Sequence, residues 1–145
     1  AKAKFVSRGD NSGTHVKELE VWKKAAIEPK GDWYIAAGQG MGAVLTMANE
    51  QQAYTLSDRA TYLARVKQGT QLVVLVEGDP AMFNPYGVIT VNPAKNPAIK
   101  ADMAIKFVEW IISVPTQNLI ADFGVKDFGA SLFVPDSAAY RASKK

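Results

Sequence analysis

Short apolar runs alternate with segments of helical spacing along this chain, and that alternation restricts the fold more than any other feature. "FVS" precedes "VKELEVWKKAAI", "WYIAA" precedes a helix-like stretch from about Met41 to Gln52, and "AYTL" precedes another ending near Val66. Two further strand candidates follow, "QLVVLVEG" and the proline-bracketed "NPYGVITVNP". Strands that alternate with helices in this way indicate an α/β architecture. The longest aliphatic run, Leu72–Val76, is strand-length, far short of the ~18 residues of a membrane helix.

The spacing predicts which side chains are buried. In the first helix, from Ser12 or Gly13 to Ile27, Val16, Leu19, Trp22 and Ala26 share one face, and Lys17, Glu18, Lys23 and Lys24 lie mostly outside. Leu72–Val76 reads as a buried strand. A helix from about Ala98 to Ile112 buries Ile99, Met103, Phe107, Trp110 and Ile111. Pro115 suits the first turn of a short helix ending near Phe123 and Gly124. From Asp127 on, the chain reads as a loop docked at Leu132 and Phe133.

At 145 residues there is enough chain for a real core. The formal charge is 17 − 14 = +3, with basic residues scattered apart from Arg141, Lys144 and Lys145 at the tail. A nucleic-acid partner is not expected, because that reading wants a dense basic face. With no cysteine, disulfides, thiolate metal sites and cysteine nucleophiles are excluded. The opening "AKAKFV" has no apolar leader core, so any targeting segment is expected to be removed or to lie upstream.

The chemistry concentrates in "SRGDNSGTH", Ser7 to His15, between a strand and a helix. The first N–H groups of a helix have no partner within it, and the macrodipole places partial positive charge there. Helix starts favour Asp or Glu in the first turn, yet here that turn reads Gly13, Thr14, His15. Glycine allows close approach, hydroxyls add neutral donors, and Arg8 adds a forked cation. The combination of Arg8, Ser12, Gly13 and Thr14 points to an anion site, whereas plain N-capping by Asn11 or Ser12 explains one polar residue only. Asp10 is close enough to orient Arg8 or a hydroxyl. "RGD" also spells an adhesion tripeptide, a match of three residues.

"GQGMGA", Gly38–Ala43, fits the loose dinucleotide pattern, and Asp58 lies about twenty residues on, where a ribose-binding acid would. A nucleotide-dependent oxidoreductase is therefore the alternative from another class. The competing reading is a second helix N-terminus, with Gly40 to Gly42 offering backbone N–H groups. Tyr54, Thr55 and Ser57 occupy a third strand-to-helix junction as secondary candidates, with Ser57 also a candidate cap. His15 reads as a surface or cap-supporting residue, and Trp22, Trp33 and Trp110 as packing residues.

"FVSRGDNSGTHVKELEVWK", "GQGMGAVLTMANEQQAYTLSDRATYL", "LVEGDP", "FNPYGVITVNP" and "LIADFG…LFVPD" resemble, in order, the tungstate-binding protein family. These are extracytoplasmic substrate-binding components of ABC transporters for oxyanions. The resemblance implies a type II periplasmic-binding-protein architecture: two α/β lobes, mixed sheets with helices on both faces, and an anion gripped between lobes. It makes "SRGDNSGT" the second lobe's anion loop, with Arg8, Ser12, Gly13 and Thr14 as ligand contacts and Ser7, Gly40 and Thr55 beside them. Residues 1–83 would be that second lobe, and 84–145 the return segment toward a first lobe absent from this sequence. Phe107, Trp110 and Ile111 then need another cover, from self-association or a separate first-lobe chain. The implied protein is no enzyme and needs no cofactor or resident metal. It binds tungstate or molybdate, docks on a transporter permease, and works in the periplasm or otherwise outside the cytoplasm, with a membrane tether in the full-length form.

Overall fold

Two short strands, β1 (Phe5–Ser7) and β2 (Tyr34–Ala36), pair in parallel, with Phe5 opposite Tyr34, Val6 opposite Ile35 and Ser7 opposite Ala36. On the other side of β1, Tyr54 makes a single parallel bridge to Phe5, fixed by Tyr54 N–H to Lys4 O (2.9 Å) and Val6 N–H to Tyr54 O (2.8 Å). The structure, a computed structural model, describes residues 3–144. It divides into two compact units, one ending at Pro85 and one beginning at Tyr86.

In the first unit the helices are α1 (Gly13–Lys24), α2 (Met41–Gln51) and α3 (Arg59–Lys67). Side chains alternate across a strand, so Val6 faces one side of the sheet, and Phe5 and Ser7 face the other. On the Val6 side lies the apolar core: Val6, Met41, Val44, Leu45, Ala48 and Ala53, from the sheet, α2 and the residue after its C-cap. On the opposite side Phe5 packs edge-on against Trp22 of α1 at 5.1 Å. Helices therefore cover both faces.

The α1 face is not the one the apolar spacing predicts. Val16 and Leu19 are 49% and 42% exposed, and Ala26 is exposed, while Glu18 is 3% exposed. The sheet surface facing α1 explains this. It presents Phe5, Ser7 and Tyr34 rather than aliphatics, and Glu18 Oε1 accepts from Tyr34 Oη (2.8 Å) and Trp22 Nε1 (3.1 Å). A carboxylate with two good donors can be buried where one without them cannot.

"LVVLV" forms no regular element and pairs with no strand among the described residues, and Val73 to Val76 are 49–71% exposed. The same holds for the stretch around Tyr86–Val91 in the second unit, where Ile89 is 90% exposed. Without a hydrogen-bonding neighbour, high β-propensity alone makes no ladder.

The second unit holds α4 (Ala101–Ile112), α5 (Val114–Asp122), α6 (Val125–Phe128) and α7 (Ala138–Ser143). Pro115 sits in the first turn of α5, where its missing N–H costs nothing. Met103, Phe107 and Trp110 of α4, predicted to be buried, are 53–63% exposed. The tail is not a plain loop. Buried Gln117 takes the N–H groups of Asp136 (2.9 Å) and Ser137 (3.1 Å), and Ser137 caps α7 through Tyr140 N–H. Leu132 docks against Gly124, where a Cβ would come within 2.5 Å of its Cγ. Arg141 pairs with Asp136 and Lys144 lies over the Tyr140 ring, whereas Lys145 lies outside the described residues. Among the described residues no helix is long and apolar enough to cross a membrane.

Candidate functional site

Parallel neighbours release their chains at the same sheet edge. The loop after β1 and the loop after β2 therefore leave side by side, joined by Ala37 N–H to Ser7 O at 2.9 Å. One leads to α1 and the other to α2, on opposite faces. Adjacent strands whose connections go to opposite faces leave a crevice outside their carboxyl ends, the usual ligand position in open α/β sheets.

The loop from Arg8 to Ser12 is tightly specified. Gly9 has φ +60°, and a Cβ there would meet the Ala36 Cβ at 2.9 Å, so β2 passes too close for any side chain. Its N–H donates to Ser7 Oγ at 3.2 Å. Asn11 also has positive φ, 58°, a region its residue type tolerates, and its N–H donates to His15 Nδ1 at 3.0 Å. His15 thus braces the loop.

Arg8 and Asp10 face each other. Arg8 Nε lies 3.0 Å from Asp10 Oδ2, and Nη2 bonds to the same oxygen. Asp10 Oδ1 accepts from Ser12 N–H at 3.1 Å. Bonding from the Ser12 hydroxyl and then from Arg8 holds the Asp10 carboxyl down at about 2. The two ends of "RGD" neutralise each other, which is not how separate charges are offered to an adhesion receptor.

Ser12 caps α1 by accepting from His15 N–H at 3.3 Å, and no acid occupies the first turn. The N–H groups of Gly13 and Thr14, and the Thr14 hydroxyl, find no acceptor or donor among the described residues. Asp10 sits beside the tip, on the Ser12 N–H, and does not cover these two. Arg8 is held at the loop with its side chain 20% exposed, and its remaining N–H groups have no partner among the described residues.

The α2 tip is more open still. Gly40 is its cap residue with no side-chain cap bond, the first turn has no acid, and Gly38 takes φ +61°. Sequence reasoning missed Arg65, whose Nη2 would lie 2.7 Å from a Cβ on Gly42, placing a second cation at this first turn. It also missed Asn84, whose Oδ1 lies 3.9 Å from a Cβ built on Gly13. Neither carries a local signal, since the fold alone brings them there.

Two expected contacts are turned inward. Ser7 is fully buried and Thr55 donates its hydroxyl to Val6 O at 2.8 Å, so both shape the loop edge. Tyr54 is 54% exposed, beside Phe5 and the tryptophans. The cap of α3 is Asp58 rather than Ser57. Its carboxylate takes both Thr61 N–H (2.8 Å) and the Thr61 hydroxyl. Asp58 is therefore engaged at its own helix end and is not free for a ribose, which removes the acid the dinucleotide pattern needs.

The family model for a PBP superfamily domain matches residues 1–115. The tungstate-binding protein TupA of Peptoclostridium acidaminophilum is 53% identical over 137 residues, covering 94% of this chain and 48% of that protein. A solved structure of a tungstate ABC transporter protein from Geobacter sulfurreducens superposes with TM-score 0.74 at 51% identity, over 83% of this chain and 51% of that one. The tungstate-binding TupA of Desulfovibrio alaskensis gives TM-score 0.72 at 43% identity, over 94% and 56%. The chain spans about half the length of the curated relatives it matches.

Proposed function

Because the chain belongs to the PBP superfamily, we propose that it binds a tetrahedral oxyanion, tungstate first and molybdate second, at the α1 tip. One observation carries this reading: α1 starts with a neutral cap, no first-turn acid and open Gly13 and Thr14 N–H groups, and Asp10 ties Arg8 to the cap residue Ser12. Arg8 supplies charge, Ser12 and Thr14 supply hydroxyls, and Gly13, Thr14 and Gly40 supply backbone N–H groups. Ser7 and Thr55 support from behind.

A dianion taken from water needs many donors around it. The α1 and α2 tips offer them on one side only. A second wall of donors, from a separate first-lobe chain or another copy, would complete the enclosure. The proposal extends to delivery of the anion to an ABC transporter permease, to a place outside the cytoplasm and to a membrane tether; likeness to a tungstate-binding protein and to a tungstate ABC transporter protein supports the transport role.

Titration calorimetry tests it. Sodium tungstate should release or absorb heat with a stoichiometry near one, and NAD should give none. Absence of heat with tungstate, or heat with NAD, overturns the reading.

A further inference from the structure

Resting on the oxyanion reading, we propose that Glu18 is a positioning residue, whose buried carboxylate sets the rotation of α1 and thereby the aim of its open tip. α1 is not seated by aliphatic packing, since Val16 and Leu19 are half exposed. Trp22 anchors it against Phe5, and the polar hold is Glu18 Oε1, which receives Tyr34 Oη from β2 and Trp22 Nε1 from its own helix. No cation pairs with Glu18 among the described residues.

The same sheet face continues to the anion loop. Ser7 lies fully buried at the end of β1, on the face that carries Tyr34, and its Oγ accepts from Gly9 N–H at 3.2 Å. The surface on which Glu18 is seated therefore ends in a residue bonded to the loop that carries Arg8. Glu18 lies five residues past Gly13, roughly 7 Å along the axis. Hydrogen bonds are directional in a way that contacts between greasy surfaces are not. A helix held by them keeps one rotation, and its tip keeps one direction.

The intact protein, its Glu18→Ala, Glu18→Gln and Tyr34→Phe variants, and sodium tungstate as probe test the idea. Glu18→Ala should weaken binding about tenfold or more, and Glu18→Gln, which can still accept from both donors, should recover most of that loss. An Ala variant that melts like the parent and binds like it overturns the proposal, as does a Gln variant no better than Ala. If the Ala variant fails to fold, Tyr34→Phe decides: weaker binding supports positioning, unchanged binding refutes it. The Gly13 and Thr14 amide resonances, read without ligand, separate this proposal from the oxyanion reading. They should move in Tyr34→Phe even if the parent binds no tungstate, and unmoved amides reject the positioning role alone.

Discussion

The junctions before α1 and before α3 contain nearly the same residues and reach opposite states. Each has an arginine, an aspartate, a serine and a threonine within about eight positions, in "SRGDNSGT" and "TLSDRAT". Before α3 the aspartate is the cap itself: Asp58 closes the helix end on Thr61, and Arg59 reaches away to Glu77 at 2.9 Å. Before α1 the aspartate stands two residues ahead of the cap. There it holds Arg8 and the Ser12 N–H, and leaves Gly13 and Thr14 uncovered. A displacement of two positions decides whether a helix end answers its own partial charge or is left open, as the proposed anion site requires.

Moving the acid should break that difference most completely. Ser12→Asp would give α1 the cap that α3 has. Asp and Ser cap about equally well, so stability should change by only a few tenths of a kcal/mol, roughly. Binding should suffer far more, because a carboxylate would then face the bound dianion; like charges so placed cost several kcal/mol, about a thousandfold in affinity. Calorimetry beside thermal melting checks both halves, and retained tungstate affinity would mean that the α1 tip is not the site.

Arg8→Ala is expected to rank next. It removes the one cation the loop holds ready, and hydrogen bonds from a charged donor contribute about 1.5–3 kcal/mol, so affinity should drop roughly 100-fold while the melting curve moves little. Unchanged affinity would shift the weight to Arg65 at the α2 tip.

Much of this was legible in the sequence, and the failures have a common cause. The open first turn, Gly13-Thr14-His15, is a local property and reads directly. So do α2, the proline at the start of α5 and the α/β alternation. Glu18 was placed outside because helix spacing reports which side chains are apolar, not what the opposing surface offers. Tyr34 and Ser7 turn that surface polar, and they lie 16 and 11 residues away. "LVVLV" reads as a buried strand because propensity does not say whether a neighbour exists. The α3 cap was misplaced by one residue, Ser57 for Asp58, since both residue types cap well and only geometry chooses.

A smaller effect should come from the α3 side. Asp58→Ala deletes a cap and should cost about 1 kcal/mol of stability. Tungstate affinity should stay at the parent value, because Asp58 serves its own helix only. A large loss of affinity with the fold intact would show that the two junctions act together, and the contrast between them would no longer hold.

The smallest expected effect concerns pH. The Asp10 carboxyl is lowered from 3.8 to about 2 by the Ser12 hydroxyl and Arg8. A carboxyl lowered in the folded state favours folding above its unfolded value, near 4, and that contribution fades as pH falls toward 2. Asp10 therefore stays ionised at every pH where the protein is normally handled. It contributes no step to the affinity between about pH 5 and 8, the range in which an acid of ordinary or raised pKa at an anion site could. The carboxyl carbon resonance of Asp10 should titrate with its midpoint near 2 in the parent. In Arg8→Ala the midpoint should rise only partway toward 3.8, because the bonds from Ser12, which lower it more than Arg8 does, remain. A midpoint already near 3.8 in the parent would mean that Asp10 is free in solution, and that nothing keeps the Arg8 fork beside the α1 tip before the anion arrives.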